Sequence, residues 1–197
     1  MLDTIFYNGR INALDAFEAV LGPTSHNPLR HRIEHGGCMY PDLLKQAAAM
    51  NIPVAVQPVF FSELGDGFIE AFGPETADRL YPFKSMLAAG IKLGGSSDNP
   101  VSDLDPRKSL CGAVTRTTPS GKIIGPRERL TMDQALKLYT SGSAWLSFDE
   151  QCNGTLELGK HADFTVLAED PRSVAPEEVP DIPFTMTVVG GEIVWKA

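Results

Sequence analysis

Two glycine-containing segments carry side chains that could bind a metal ion or move a proton. The first runs from Gly94 to Pro100 and contains Asp98, and the second ends in His35-Gly36-Gly37. An imidazole and a carboxylate are both suitable ligands for zinc or a similar divalent ion, and a carboxylate can also take a proton from water. Each residue alone has an ordinary explanation, because Ser-Asp-Asn-Pro is typical of turns and single histidines are usually structural. The case for chemistry therefore depends on the two residues meeting in the fold.

Alternating strands and helices are predicted up to about residue 150, and they would position these residues. Apolar runs indicate strands at residues 4–7, 31–35, 54–57 and 91–94. Apolar spacing and end signals predict helices at 11–21, 42–50, 83–89, 106–116 and 131–146. Parallel α/β folds carry functional side chains at the carboxyl ends of their strands. His35, Gln57 and Asp98 all occupy that position, so we expect them at one rim.

The remaining segments are predicted from their turn residues. Residues 59–81 contain phenylalanines scattered among glycines, which is typical of a long loop with one or two short helical turns. After residue 150 the pattern changes to antiparallel strands at 154–159, 162–167, 185–189 and 192–195, with an acidic, proline-rich loop at 171–183. Gly190-Gly191 predicts a tight hairpin turn between the last two strands.

The composition of the 197 residues excludes several classes of partner. The formal net charge is −8, and no basic cluster exceeds two adjacent residues, which argues against binding to nucleic acid or to an anionic membrane. The three cysteines form no C-x-x-C pair, so we expect neither a disulfide framework nor a cysteine zinc site, and we expect a cytoplasmic location. The first residues lack the charged and apolar regions of a signal peptide, and no apolar run approaches ~18 residues.

Several segments together resemble the metal-dependent amidohydrolase superfamily, and within it the amidohydrolase-3 (YtcJ-like) group. The segments that carry the resemblance are 31–35 (HRIEH), 56–58 (VQP), 95–100 (GSSDNP), 113–116 (AVTR), the helix at 130–144 and the tail at 154–164 (GTLELGKHADF). The resemblance extends from about residue 11 to residue 197, and the tail is its most specific signal.

The resemblance implies a fold, a reaction and two site residues. Residues 1–150 would form the C-terminal strands of a TIM-type (β/α) barrel, and residues 151–197 would form part of a small β-sandwich. His35 would be a metal ligand, and Asp98 would bind the metal and shuttle the proton of the attacking water. The cofactor would be a divalent metal, with zinc as the expected ion, and the reaction would be hydrolysis of a C–N bond in a small-molecule amide or cyclic amide.

The sequence departs from this family pattern at its beginning. Nothing matches the H-x-H metal pair of the first barrel strand or the bridging Lys or Glu, and Phe6 stands where another metal-binding His belongs. The two remaining ligands cannot hold a catalytic zinc, which normally needs three from protein. We therefore expect a C-terminal fragment of a longer hydrolase. The alternative is a non-catalytic half-barrel with unpaired edges at strands 54–57 and 91–94, which must pair with a missing N-terminal half or with a second copy.

Three further residues are candidates for substrate binding, and each has an alternative. Gln57 and Asn99 could contact the substrate or could serve local structure. Arg116 could bind a substrate carboxylate or could cap its own helix.

Overall fold

A computed structural model describes residues 13–22 and 27–197 of the chain. The first predicted strand, at residues 4–7, and the substituted position Phe6 lie outside these described residues.

The three central strands form one parallel sheet, as the alternating pattern predicts. They are β1 (Ile33–Glu34), β2 (Val54–Val56) and β3 (Leu93–Gly95), in the order β1-β2-β3. The register places Val54 opposite Ile33 on one side and opposite Leu93 on the other. All three residues of β2 are buried, which confirms the expectation of a strand covered on both faces. β1 is shorter than predicted, because the chain before Ile33 follows a turn at residues 28–29.

Helices surround this sheet, and most of them lie where the sequence predicts. They are α1 (Ala13–Leu21), α2 (Pro41–Ala49), α3 (Phe60–Phe72), α4 (Pro74–Ala77), α5 (Phe83–Ala88), α6 (Pro106–Thr115), α7 (Met132–Lys137) and α8 (Ser143–Leu146). Short 3-10 helices occur at Pro126–Glu128 and Pro176–Asp181. Pro41 opens α2 at its first position, where a missing N–H costs nothing.

The predicted long loop at 59–81 is wrong, because its first half is the 13-residue helix α3. Gly65 and Gly67 led to the prediction of a loop, because glycine has a low helix propensity. In the structure, a Cβ on Gly65 would lie 2.7 Å from Cγ2 of Thr118, so this glycine permits close packing of the helix. Phe60 and Phe61 are buried at the start of α3, and this burial outweighs the low helix propensity of glycine.

The last predicted helix forms, with an interruption. Thr131 and Gln134 make the predicted capping box at the start of α7. The segment Leu138–Gly142 then adopts a π-helical turn before α8 begins. Glycines in β3 allow this helical segment to approach closely, since a Cβ on Gly94 would lie 2.4 Å from Leu146, and one on Gly95 would lie 2.5 Å from Tyr139.

The unpaired edge expected at strand 54–57 is wrong, whereas the one expected at 91–94 agrees with the position of β3 at the end of the described sheet. β2 is central and is paired on both sides. At β3, Ser143 Oγ donates a hydrogen bond to the Gly95 carbonyl (2.7 Å), and Tyr139 Oη donates one to the Ser96 carbonyl (2.8 Å). Helical hydroxyls thus satisfy part of the backbone at the strand where the sheet ends.

The C-terminal strands form a second, antiparallel sheet. It contains β4 (Phe164–Leu167), β5 (Phe184–Val189) and β6 (Glu192–Lys196), in that order. The turn at Gly190-Gly191 joins β5 to β6, as predicted. The expected strand at 154–159 is wrong, because the structure has bends and one turn there and no strand. The loop at 171–183 contains the short helix Pro176–Asp181, whose Val179 lies in the same hydrophobic core as β2.

The parallel sheet does not close. Within residues 13–22 and 27–197 the structure contains a three-stranded parallel sheet with helices on it, and no closed barrel. The predicted partial TIM-type barrel is therefore supported as an α/β arrangement with parallel strands, and the barrel itself is not formed by these residues. None of the described helices is both long and apolar enough to cross a membrane.

Gly112 provides a test of this packing. A Cβ at Gly112 would lie 2.3 Å from the Pro58 carbonyl oxygen, which is backbone and cannot move aside cheaply. We expect Gly112→Ala to reduce the free energy of unfolding by about 3 kcal/mol in urea denaturation. Gly67→Ala is the matched control, because its Cβ would meet nothing within 4 Å. It should stabilise α3 by about 0.5–1 kcal/mol, and equal effects at both positions would contradict the packing described.

Candidate active site at the carboxyl ends of the parallel strands

A line of hydrogen bonds crosses the carboxyl edge of the parallel sheet. His35 follows β1, Gln57 follows β2 and Ser96 follows β3. The His35 Nδ1 and Gln57 Oε1 atoms are 3.0 Å apart, and Gln57 Nε2 donates to Ser96 Oγ at 2.7 Å. Because the strands are parallel, their carboxyl ends meet at one edge, and the side chains that follow them lie side by side.

His35 is held by its backbone as well as by its ring. Its N–H donates to the Ala55 carbonyl (2.8 Å), and its φ of +70° turns the chain away from the strand. The imidazole stacks on Phe60, with ring centroids 6.0 Å apart. Gly36, at φ +62°, has to be glycine, because a Cβ there would lie 2.7 Å from Val54. His35 is itself exposed, so the outer part of its imidazole ring is accessible at this edge.

Asp98 lies three residues beyond β3 at the same edge. It adopts a left-handed conformation, with φ +59°, and its carbonyl accepts the Val101 N–H (2.7 Å) in a tight turn. Ser102 Oγ donates to the Ser97 carbonyl and closes the same turn. Asn99 is exposed, and its amide donates to the Ser102 carbonyl (3.3 Å). The turn therefore presents a half-buried carboxylate next to an accessible amide.

Tyr81 is a neighbour of this edge that the sequence reasoning missed. Its N–H donates to the Gly37 carbonyl (2.8 Å), and its ring packs against Phe60, Phe61 and Phe68. Burial, with smaller contributions from the charges of Cys38 and Asp98, raises the pKa of Tyr81 to about 12. The phenol is consequently a neutral hydrogen-bond donor at ordinary pH. The sequence signal that could have identified this residue is Tyr81-Pro82, an aromatic residue directly before the proline that precedes α5.

Arg116 is completely buried and has a structural role in this chain. The residue ends α6 in a left-handed conformation, and its guanidinium donates to the carbonyls of Leu80 (2.8 Å), Tyr81 (2.9 Å) and Ile124 (2.6 Å). Burial lowers the pKa of Arg116 to about 9, although the carboxylates of Glu128 and Asp78 oppose that shift. Its donors face protein carbonyls on other segments, so it neither faces a substrate nor caps α6 with its side chain.

The donors at this edge do not amount to a complete metal site. Among residues 13–22 and 27–197, no group of three or more His, Cys, Asp or Glu side chains is placed to hold one ion. Nδ1 of His35 is paired with Oε1 of Gln57, which leaves Nε2 as the ring nitrogen that could bind a metal ion. With Asp98 this gives two donors, whereas a catalytic zinc site uses three from protein. The described residues alone therefore do not fit a catalytic metal.

The fold is similar to those of solved metal-dependent hydrolases. An uncharacterized metal-dependent hydrolase from Pyrococcus horikoshii OT3 superimposes with a TM-score of 0.70 at 31% identity, over 84% of this chain and 32% of that one. The amidohydrolase family profile matches residues 5–195, and the chain belongs to the amidohydrolase family. The resemblance noted in the sequence is thereby confirmed.

Two curated relatives are similar over nearly the whole chain. A putative amidohydrolase, YtcJ, from Bacillus subtilis is 31% identical over 188 residues, which is 92% of this chain and 36% of the relative. An N-substituted formamide deformylase from Arthrobacter pascens is 31% identical over 179 residues, which is 90% of this chain and 33% of the relative. The chain thus spans about a third of the length of the relatives it matches.

Proposed function

We propose that this chain provides the C-terminal part of an active site that hydrolyses the C–N bond of a non-peptide amide or cyclic amide. The observation that carries the proposal is the line His35–Gln57–Ser96 across three parallel strands, with Asp98 at the same edge. Family membership supports a hydrolase, and the similarity to a formamide deformylase supports a small amide as substrate.

In this proposal Asp98 is the general base. Its carboxylate takes a proton from the water that attacks the amide carbon, and then delivers that proton to the nitrogen as the C–N bond breaks. His35 and Asp98 are also the two described residues that would contribute to holding a divalent ion, with zinc as the first choice. Such an ion supplies Lewis-acid polarisation when bound. Asn99 is retained as a substrate contact, because its amide is exposed beside Asp98.

A second candidate function is a non-catalytic module that depends on assembly. The described residues place fewer than three metal donors at this edge, which is too few for a catalytic zinc and favours the non-catalytic module. The partner in that case would be a second copy of the chain or an N-terminal half. The acidic net charge supports the absence of nucleic acid in either case.

The first experiment uses the 197-residue chain itself. We expect weak zinc binding and no detectable hydrolysis of an amide panel, because two ligands give little of the free energy of a full metal site. Zinc titration of the ¹⁵N-labelled chain should nevertheless shift the amides around His35 and Asp98 together. His35→Asn and Asp98→Asn should each abolish both sets of shifts. Independent responses at the two residues would contradict a shared site.

The second experiment completes the chain. The part of the Bacillus subtilis amidohydrolase that precedes its 188-residue match is joined to the present chain. We expect stoichiometric zinc after dialysis and turnover of small N-substituted amides. A folded chimera that holds zinc and hydrolyses no member of the amide panel would reject the C–N hydrolase and favour the non-catalytic module.

A further inference from the structure

We propose that Gln57 is a positioning residue that fixes the tautomer of His35. It holds the neutral imidazole with its hydrogen on Nδ1, so that the Nε2 lone pair is presented at the carboxyl edge of the sheet. The importance of His35 rests on the proposed function, whereas the tautomer is a property of the folded chain and can be measured without any reaction.

The burial of Gln57 gives the first part of the argument. The residue is 2% exposed, so both ends of the side-chain amide must find partners inside the protein. Oε1 lies 3.0 Å from His35 Nδ1, and Nε2 lies 2.7 Å from Ser96 Oγ. Little accessible surface remains for a substrate, which favours a role in local structure, the second of the two alternatives that the sequence left open for Gln57.

The Ala55 carbonyl decides which way the amide points. Gln57 Nε2 lies 3.4 Å from this oxygen, which can accept a hydrogen bond and cannot donate one. The reversed amide would place its own oxygen against the Ala55 carbonyl and lose that interaction. With Oε1 directed at His35, the ring nitrogen must be the donor. Nδ1 therefore carries the hydrogen in the neutral ring, and Nε2 carries the lone pair.

Other contacts hold His35 in place beside Gln57. The backbone N–H of His35 is bound to the Ala55 carbonyl (2.8 Å), and the ring lies on Phe60 with an interplanar angle of 24°. A ring flip would break the hydrogen bond to Gln57 and leave a buried amide oxygen without a donor, which costs free energy. Gln57 thus links the ends of β1, β2 and β3 and orients the accessible side of His35.

The test is a two-bond ¹H–¹⁵N correlation spectrum of the histidine rings in the ¹⁵N-labelled 197-residue chain, at a pH where the rings are neutral. Substitution of single histidines assigns the signals. We expect His35 to be predominantly the Nδ1–H tautomer. Gln57→Leu should shift it to predominantly Nε2–H, the form that a free histidine ring prefers in water. Gln57→Glu should restore Nδ1–H, because a carboxylate also accepts from that nitrogen. The signals of His31 and His161 should stay unchanged.

A wild-type His35 in the Nε2–H form overturns the inference. The wild-type spectrum therefore tests the tautomer even if Gln57→Leu fails to fold. A folded Gln57→Leu protein that retains Nδ1–H overturns it as well. The proposed function fails differently. A folded chimera without amide hydrolysis rejects the hydrolase and leaves the tautomer assignment standing.

Discussion

Asp98→Asn is expected to lower kcat/KM of the completed chimera on a small amide by about 10³-fold. Asparagine has nearly the same size, and it tolerates the left-handed backbone that Asp98 adopts at φ +59°. The tight turn should therefore survive the change. The asparagine side chain cannot accept a proton from the attacking water, whereas the aspartate carboxylate can. Steady-state kinetics at saturating zinc, with circular dichroism to verify the fold, would measure the effect.

Asn99→Ala is the matched control for this substitution. Asn99 is the exposed neighbour in the same turn, and its amide makes a single long hydrogen bond to the Ser102 carbonyl (3.3 Å). A residue that contacts the substrate through a neutral hydrogen bond should change KM by about tenfold and leave kcat nearly constant. If Asp98→Asn and Asn99→Ala lowered kcat equally, the assignment of Asp98 as general base would be wrong.

Arg116→Lys is expected to reduce the free energy of unfolding of the 197-residue chain by about 3–5 kcal/mol. The guanidinium reaches the carbonyls of Leu80, Tyr81 and Ile124 at once, and its Cζ atom lies 4.0 Å from the centre of the Phe61 ring. A lysine ammonium is a compact charge that cannot span these three acceptors. The substitution would leave a buried charge and unpaired carbonyls, which is the costly combination.

Equilibrium urea denaturation would measure this loss. Arg127→Lys is the control, because Arg127 is exposed in the short helix Pro126–Glu128, and the same chemical change should alter stability by less than about 0.5 kcal/mol. A loss below about 1 kcal/mol for Arg116→Lys would show that the three carbonyl contacts contribute little. The variant should also disturb the site, since Arg116 binds the carbonyl of Tyr81.

The sequence by itself determined the elements whose signals are local. The capping box of Thr131 and Gln134, the first-position proline of α2 and the Gly190-Gly191 turn each act within a few residues. The continuous apolar run of β2 likewise indicates, from local residues alone, that this strand is buried. Parallel strands then place His35, Gln57 and Asp98 at one edge, because strand direction fixes which ends meet. The family also follows from motifs that are contiguous in the sequence.

The tertiary structure decided everything that depends on distant partners. Gly65 permits close packing of its helix against Thr118, and nothing near Gly65 in the sequence indicates that contact. Arg116 is structural because carbonyls some 35 positions earlier surround its guanidinium. Gln57 orients His35 because its amide lies between residues that follow two other strands. A hydrogen bond or a close contact across such separations depends on how the chain folds back on itself, and local sequence patterns do not contain that information.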